Sequence, residues 1–124
     1  MEKDNSIIEG NKLIAEFMGE KIIPSEDSVR YKDGSEVVID SVKGWRVCKY
    51  HTSWDWLMPV VEKIEKLGYS VFIQNDACWI KVARAGMKMP LISELGENKI
   101  SATFISIVQF IQWYNQNKIK TNEQ

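Results

Sequence analysis

Apolar positions recur along this chain with two different periods, and the switches between them mark out its elements. From Ser6 to Met18 the period is helical: Ile7, Ile14, Phe17 and Met18 fall on one side, with Leu13 beside them. Ser6 and Glu9 have the spacing of a capping box, in which hydroxyl and carboxylate satisfy each other's backbone N–H groups. Gly19 stands just past the last apolar position, where a left-handed cap is wanted, so the predicted helix covers 6 to 18. Residues 20 to 28, E-K-I-I-P-S-E-D-S, read as a connection, because Pro24 has no N–H to offer a strand partner.

The period then shortens toward two. Asp33-Gly34 lies between the β-prone runs of V-R-Y-K-D-G-S-E-V-V-I-D, a hairpin signal, since a tight turn needs positive φ. A second turn at Ser41 to Gly44 leads into W-R-V-C-K-Y, and the pattern predicts a three-stranded antiparallel meander over 29 to 50. After a helix that ends at Leu67 with Gly68 as its cap, Y-S-V-F-I-Q and A-C-W-I-K-V-A form a second hairpin around Asn75-Asp76. Its strands are apolar on both faces, with Phe72 and Trp79 opposing Val71, Ile73, Cys78 and Ile80, which predicts cover on both sides, at least in part. Residues 85 to 98, with Met87, Met89, Leu91 and Ile92, show no sustained period and are expected to be a long loop. The last helix is predicted over 99 to 117, striped by Ile100, Phe104, Ile107, Val108, Ile111 and Tyr114, with a frayed tail at 118 to 124.

These elements add up to an α+β domain spanning 1 to 124, ordered over about 5 to 117. The expected architecture is one antiparallel sheet of about five strands with three helices packed on it, in the order α-β-β-β-α-β-β-α, as a layered sandwich.

The middle helix opens with Y-H-T-S-W-D-W-L-M-P-V-V-E-K-I-E, Tyr50 to Glu65. Thr52 and Ser53 are good N-cap residues, and Asp55 falls in the first turn, where the helix dipole favours a negative charge. Pro59 should bend the axis, or else mark a later start. At roughly 100° per residue, Trp56, Leu57, Val60, Val61, Ile64 and Leu67 gather into one apolar arc. Trp56 is therefore expected in the core, with Trp54 at the rim and one face available.

Three functional readings compete with plain architecture for this segment. His51, the one histidine of the chain, could touch Asp55 and serve a small hydrolase or nuclease-like enzyme as acid–base pair. No G-x-S-x-G, H-E-x-x-H or phosphate-loop pattern accompanies it, and no catalytic residue is assigned. Trp54, with Tyr50 and His51, could stack on a base of single-stranded nucleic acid. A net charge of −1 and only three arginines disfavour that reading, because nucleic-acid binders present a basic stripe to phosphates. Trp54, Tyr50, His51, Asp55 and Met58 could instead anchor another protein or a second copy of the chain, since Trp and Tyr bring large contact area at low entropic cost.

Composition narrows the setting. With 44% hydrophobic and 27% charged residues over 124 positions, the chain can bury a core without staples. Cys48 and Cys78 sit in apolar, strand-like surroundings and are expected as reduced, buried thiols. Two cysteines and one histidine without a short C-x-x-C spacing make a poor metal set, and no cofactor is implied. No apolar run approaches the ~20 residues of a membrane span. The polar N-terminus lacks a signal core, so a cytoplasmic location is expected.

L-I-A-E-F-M-G (13 to 19), Y-H-T-S-W-D-W-L-M-P-V-V-E-K-I-E (50 to 65) and F-I-Q-W-Y-N (110 to 115) resemble segments of small phage and prophage proteins. These proteins are grouped as a phage α-β-α sandwich domain and occur in gut Bacteroides-type bacteria and their viruses. The resemblance follows the helices and does not extend to residues 20 to 45. It implies a layered, intracellular domain of phage origin or association, and no activity.

Overall fold

A computed structural model describes residues 2–23, 37–41, 44–82 and 91–122 of the chain. The first helix, α1 (Glu2–Phe17), begins four residues before Ser6, so Ser6 lies inside it and does not cap it. Ile14 and Ala15 are fully buried, while Ile8, Leu13, Phe17 and Met18 pack against the core from its edge. Gly19 ends the helix with φ +79°, its N–H donating to Glu16 O (3.0 Å) and that of Glu20 to Ala15 O (2.9 Å). This is the predicted left-handed cap. The Lys63 ammonium donates to the Phe17 carbonyl and lies over the Phe17 ring at 4.5 Å, giving a positive charge to the negative end of the helix.

Two three-stranded antiparallel sheets follow, in place of the single five-stranded sheet expected. The first is β1 (Lys21–Ile22), β2 (Val38–Ser41) and β3 (Gly44–Val47), in that order. The order is that of a meander, with Lys21–Ile22, within the stretch read as a connection, paired to β2; the part of the expected meander before residue 37 lies outside the described residues. Pro24 does not prevent this, because the pairing lies upstream of it: Lys21 faces Asp40, Ile22 faces Ile39, and Ile23 N donates to Val38 O (2.8 Å). The Asp33-Gly34 turn, Met87 and Met89 lie outside the described residues.

The middle helix, α2 (Trp54–Lys66), buries Leu57, Val60, Val61 and Ile64 and carries Pro59 within it. It stops at Leu67, and Gly68 takes φ +104°. Leu67 itself turns outward, 39% exposed, and does not join the apolar arc. The second sheet is β4 (Tyr69–Gln74), β5 (Ala77–Val82) and β6 (Ile92–Leu95), with Asn75 at φ +55° in the predicted turn. β6 is a sixth strand, where a long loop was expected. Its register continues past both ends, with Leu91 N donating to Ile80 O (2.8 Å) and Gly96 N to Asp76 O (2.9 Å).

The last helix, α3 (Lys99–Asn122), runs five residues beyond the expected end and packs on β5, β6 and α1. The Asn98 side-chain oxygen accepts from Ser101 N at 2.9 Å and caps it. Gly96 lies directly beneath this first turn: a Cβ there would sit 2.4 Å from Ala102 N. Ser106 donates from its hydroxyl to Cys78 O (3.0 Å), fixing the helix to the central strand. Val37, Ile39 and Cys48 of the first sheet segment, Ile80 of the second, and residues of all three helices form one hydrophobic cluster. On the outer face of the second sheet Phe72 and Trp79 stack on each other at 5.8 Å, with Lys81 at 5.2 Å from the Phe72 ring. Phe72 remains 39% exposed there, so this face is covered only in part.

Candidate functional site

The approach to α2 is set by backbone, not by a side-chain cap. Thr52 N and Ser53 N both donate to Lys49 O, at 3.1 and 2.9 Å, which folds residues 49 to 53 into a tight turn. Ser53 is the N-cap, with extended φ −130° and ψ 123°, but its hydroxyl makes no capping bond. Asp55 thus falls at the second helical position, one earlier than a Thr52 cap would place it. Among the described residues the N–H groups of Trp54 and Asp55 have no acceptor.

A buried amide fastens this turn to α1. Asn11 is 3% exposed, and its side-chain oxygen accepts from the Tyr50 N–H at 3.1 Å. Its nitrogen donates to Ile7 O (3.2 Å) and lies 3.0 Å from His51 Nδ1. Because the amide oxygen is committed to the Tyr50 N–H, the nitrogen must face His51, so Nδ1 accepts and the ring proton resides on Nε2. The imidazole packs against the Phe104 ring, centroids 6.0 Å apart. His51 is thereby turned toward α1 and α3.

On the other side of the turn lies an open cleft of about 380 Å³. Its walls come from the end of α1 (Met18, Glu20), the face of the first sheet (Ile39, Ser41, Arg46) and the start of α2 (Lys49, Tyr50, Ser53, Asp55, Trp56, Pro59). Arg46 pairs with Ile39 in the register, which puts its side chain on the core-facing side of β3. The guanidinium lies 4.5 Å over the Trp56 ring, and Tyr50 meets that ring edge-on at 5.2 Å. Tyr50 is 3% exposed; burial pushes its hydroxyl well above the usual tyrosine range, Cys48 and Glu20 add to this, and Arg46 opposes it. Burial also pushes the Cys48 thiol up to about 12, with Glu20 adding and Arg46 opposing. Burial raises Cys78 too, against hydrogen bonds from Ser106 and Thr103. Both thiols are free and buried, and neither is a nucleophile at neutral pH.

The five residues singled out in the sequence are therefore divided. Tyr50 and Asp55 line the cleft. His51 serves the Asn11 fastening, Trp54 packs half-buried against the core, and Met58 is 42% exposed outside the cleft. Trp56, expected in the core, is half-buried and forms a cleft wall. Arg46, Lys49 and Glu20 were not anticipated. Alternation along W-R-V-C-K holds a signal for the first, since it sets Arg46 on the same face as Cys48. Among the described residues no three His, Cys, Asp or Glu groups could hold a metal ion, and no helix is long and apolar enough to cross a membrane. Comparison with family models, curated proteins and solved structures finds no match.

Proposed function

We propose that this chain is a non-catalytic binding module of phage or prophage association, acting inside the cell on another protein through the cleft at the start of α2. The observation that carries this reading is the Arg46–Trp56–Tyr50 stack. Three side chains of the types that anchor interfaces meet at a concave, partly apolar surface, with charged groups of both signs around them. His51, the acid–base candidate of the enzyme reading, is not among the residues that line the cleft. Phage association, the intracellular setting and the layered sandwich arrangement rest on the resemblance of the helical segments.

The test is affinity capture from lysate of infected host cells, with wild type, Arg46→Glu and Leu95→Glu as baits. Leu95 is 71% exposed on the second sheet and serves as a control surface. Proteins held by wild type and Leu95→Glu but lost with Arg46→Glu support the reading. A retained set that ignores Arg46→Glu refutes it, and light scattering on the purified chain separates a second copy from a different partner.

A further inference from the structure

The cleft's charge pattern specifies more than a contact surface. Two cations, Arg46 and Lys49, and two carboxylates, Glu20 and Asp55, line it together. Among the described residues none of the four is held in an ion pair. A simple anion would meet the carboxylates, and a simple cation would meet Arg46 and Lys49. Only a ligand that carries both signs leaves no charge opposed.

Two further observations point to a ligand. The Tyr50 hydroxyl belongs to a side chain more than nine-tenths buried and lines the cleft, yet makes no hydrogen bond among the described residues. Its ring is fixed edge-on against Trp56, and its own backbone is held by Asn11, so the hydroxyl is pre-positioned. Beside it, among the described residues, the Asp55 N–H at the first turn of α2 has no acceptor, and the Ser53 hydroxyl does not cap it. The Tyr50 hydroxyl and Arg46 suit a carboxylate, and Glu20 and Asp55 suit an ammonium. A volume of about 380 Å³ falls at the small end of ligand sites, and Met18, Ile39, Trp56 and Pro59 offer apolar contact for a side chain.

We infer that the cleft receives a small zwitterion of the amino-acid or short-peptide class, its carboxylate toward Arg46 and Lys49 and its ammonium toward Glu20 and Asp55. This inference rests on the cleft being a binding site, and it adds the ligand's chemistry.

The test is an amide and indole NMR titration of the full chain with three probes: the dipeptide Ala-Ala, N-acetylalanine (anion only) and alanine methylamide (cation only). Ala-Ala is expected to move the Trp56 indole and Arg46 signals saturably, and each singly charged probe to bind about tenfold more weakly. Tyr50→Phe should weaken Ala-Ala several-fold with little change in melting temperature, because the hydroxyl gives up no hydrogen bond among the described residues. Arg46→Gln should weaken it too. Equal binding of Ala-Ala and N-acetylalanine overturns the inference in favour of a plain anion site. Absence of any cleft shift also overturns it, while Arg46-dependent protein capture would then still stand. Probe binding without Arg46-dependent capture has the reverse meaning, sparing the ligand class and refuting the protein partner.

Discussion

Asn11→Ala puts the fastening between α1 and the α2 turn to a quantitative test. The substitution removes the acceptor of the Tyr50 N–H, a donor buried too deeply for water to replace it. An orphaned buried N–H costs ~1–3 kcal/mol. His51 is half-buried, so its Nδ1 can recover a water and adds little. The Ile7 carbonyl keeps its helical partner within α1. Against these losses, alanine in a helix interior is favoured over asparagine by at most ~0.7 kcal/mol. The net expectation is a loss of about 0.5–2.5 kcal/mol, or roughly 4 °C in melting temperature per kcal/mol at this length. Urea denaturation followed by tryptophan fluorescence, with far-UV circular dichroism as a second probe, measures it. Asn11→Asp sharpens the test. It keeps an oxygen for Tyr50 N–H but sets a carboxylate against His51, and an imidazolium satisfies that carboxylate better than a neutral ring. Its deficit relative to wild type should therefore shrink from pH 8 to pH 5.5, through the range near ~6.5 where imidazole takes up a proton. A stability change under about 0.5 kcal/mol for Asn11→Ala, which is the scatter of an inconsequential surface change, would refute the reasoning.

Other expectations follow from the same structure. Gly96→Ala should cost about 1–3 kcal/mol, because its methyl meets the backbone of Ala102, which cannot rotate away; a neutral result by denaturant melt would remove that account of β6. Ile64→Ala, in the fully buried stripe of α2, should cost about 2–5 kcal/mol, whereas Leu95→Ser should stay within about 0.5 kcal/mol, and comparable losses would contradict the burial pattern. Cys48 is raised from an ordinary value of 9.0 to about 12, and Cys78 and Tyr50 are raised as well. The unfolded chain therefore releases these protons first, so their contribution is whole below pH 9 and is lost as pH climbs through the folded values. Denaturation midpoints should fall above pH 9, and Cys48→Ala should flatten part of that fall. Neither thiol should react with a disulfide reagent at pH 8 until the protein unfolds; prompt reaction of one equivalent would contradict the burial of both.

Helix ends were readable because they depend on local chemistry. Gly19 and Gly68 both take the positive φ that their positions after apolar runs require, and Asn75 does the same in its turn. What local pattern could not supply was partnership. Lys21–Ile22 and Ile92–Leu95 are two and four residues long, too short for alternation to register, and each exists as a strand only because a neighbour offers its ladder. The division into two sheets is invisible for the same reason. The α1 start was misplaced because a capping box is a preference that a helix can overrun. At the candidate site a helical projection gave Trp56 the right bearing toward the interior, but a projection cannot tell whether the space opposite is filled. Here it opens beneath Arg46, on a different element, and the cleft exists only where the two meet.

The Asn11–Tyr50 bond joins residues 39 apart, and the first sheet lies between them along the chain. One wall of the cleft, Ile39, Ser41 and Arg46, belongs to that sheet, while Met18 and the Lys49 to Pro59 side belong to the end of α1 and the approach to α2. Exchange of the β2 and β3 wall, provided the new residues refill the space of Val37, Ile39 and Cys48, would change the lining of the cleft and leave the Asn11–Tyr50 latch in place. One wall of the cleft can thus vary in sequence without touching the bond that anchors the other.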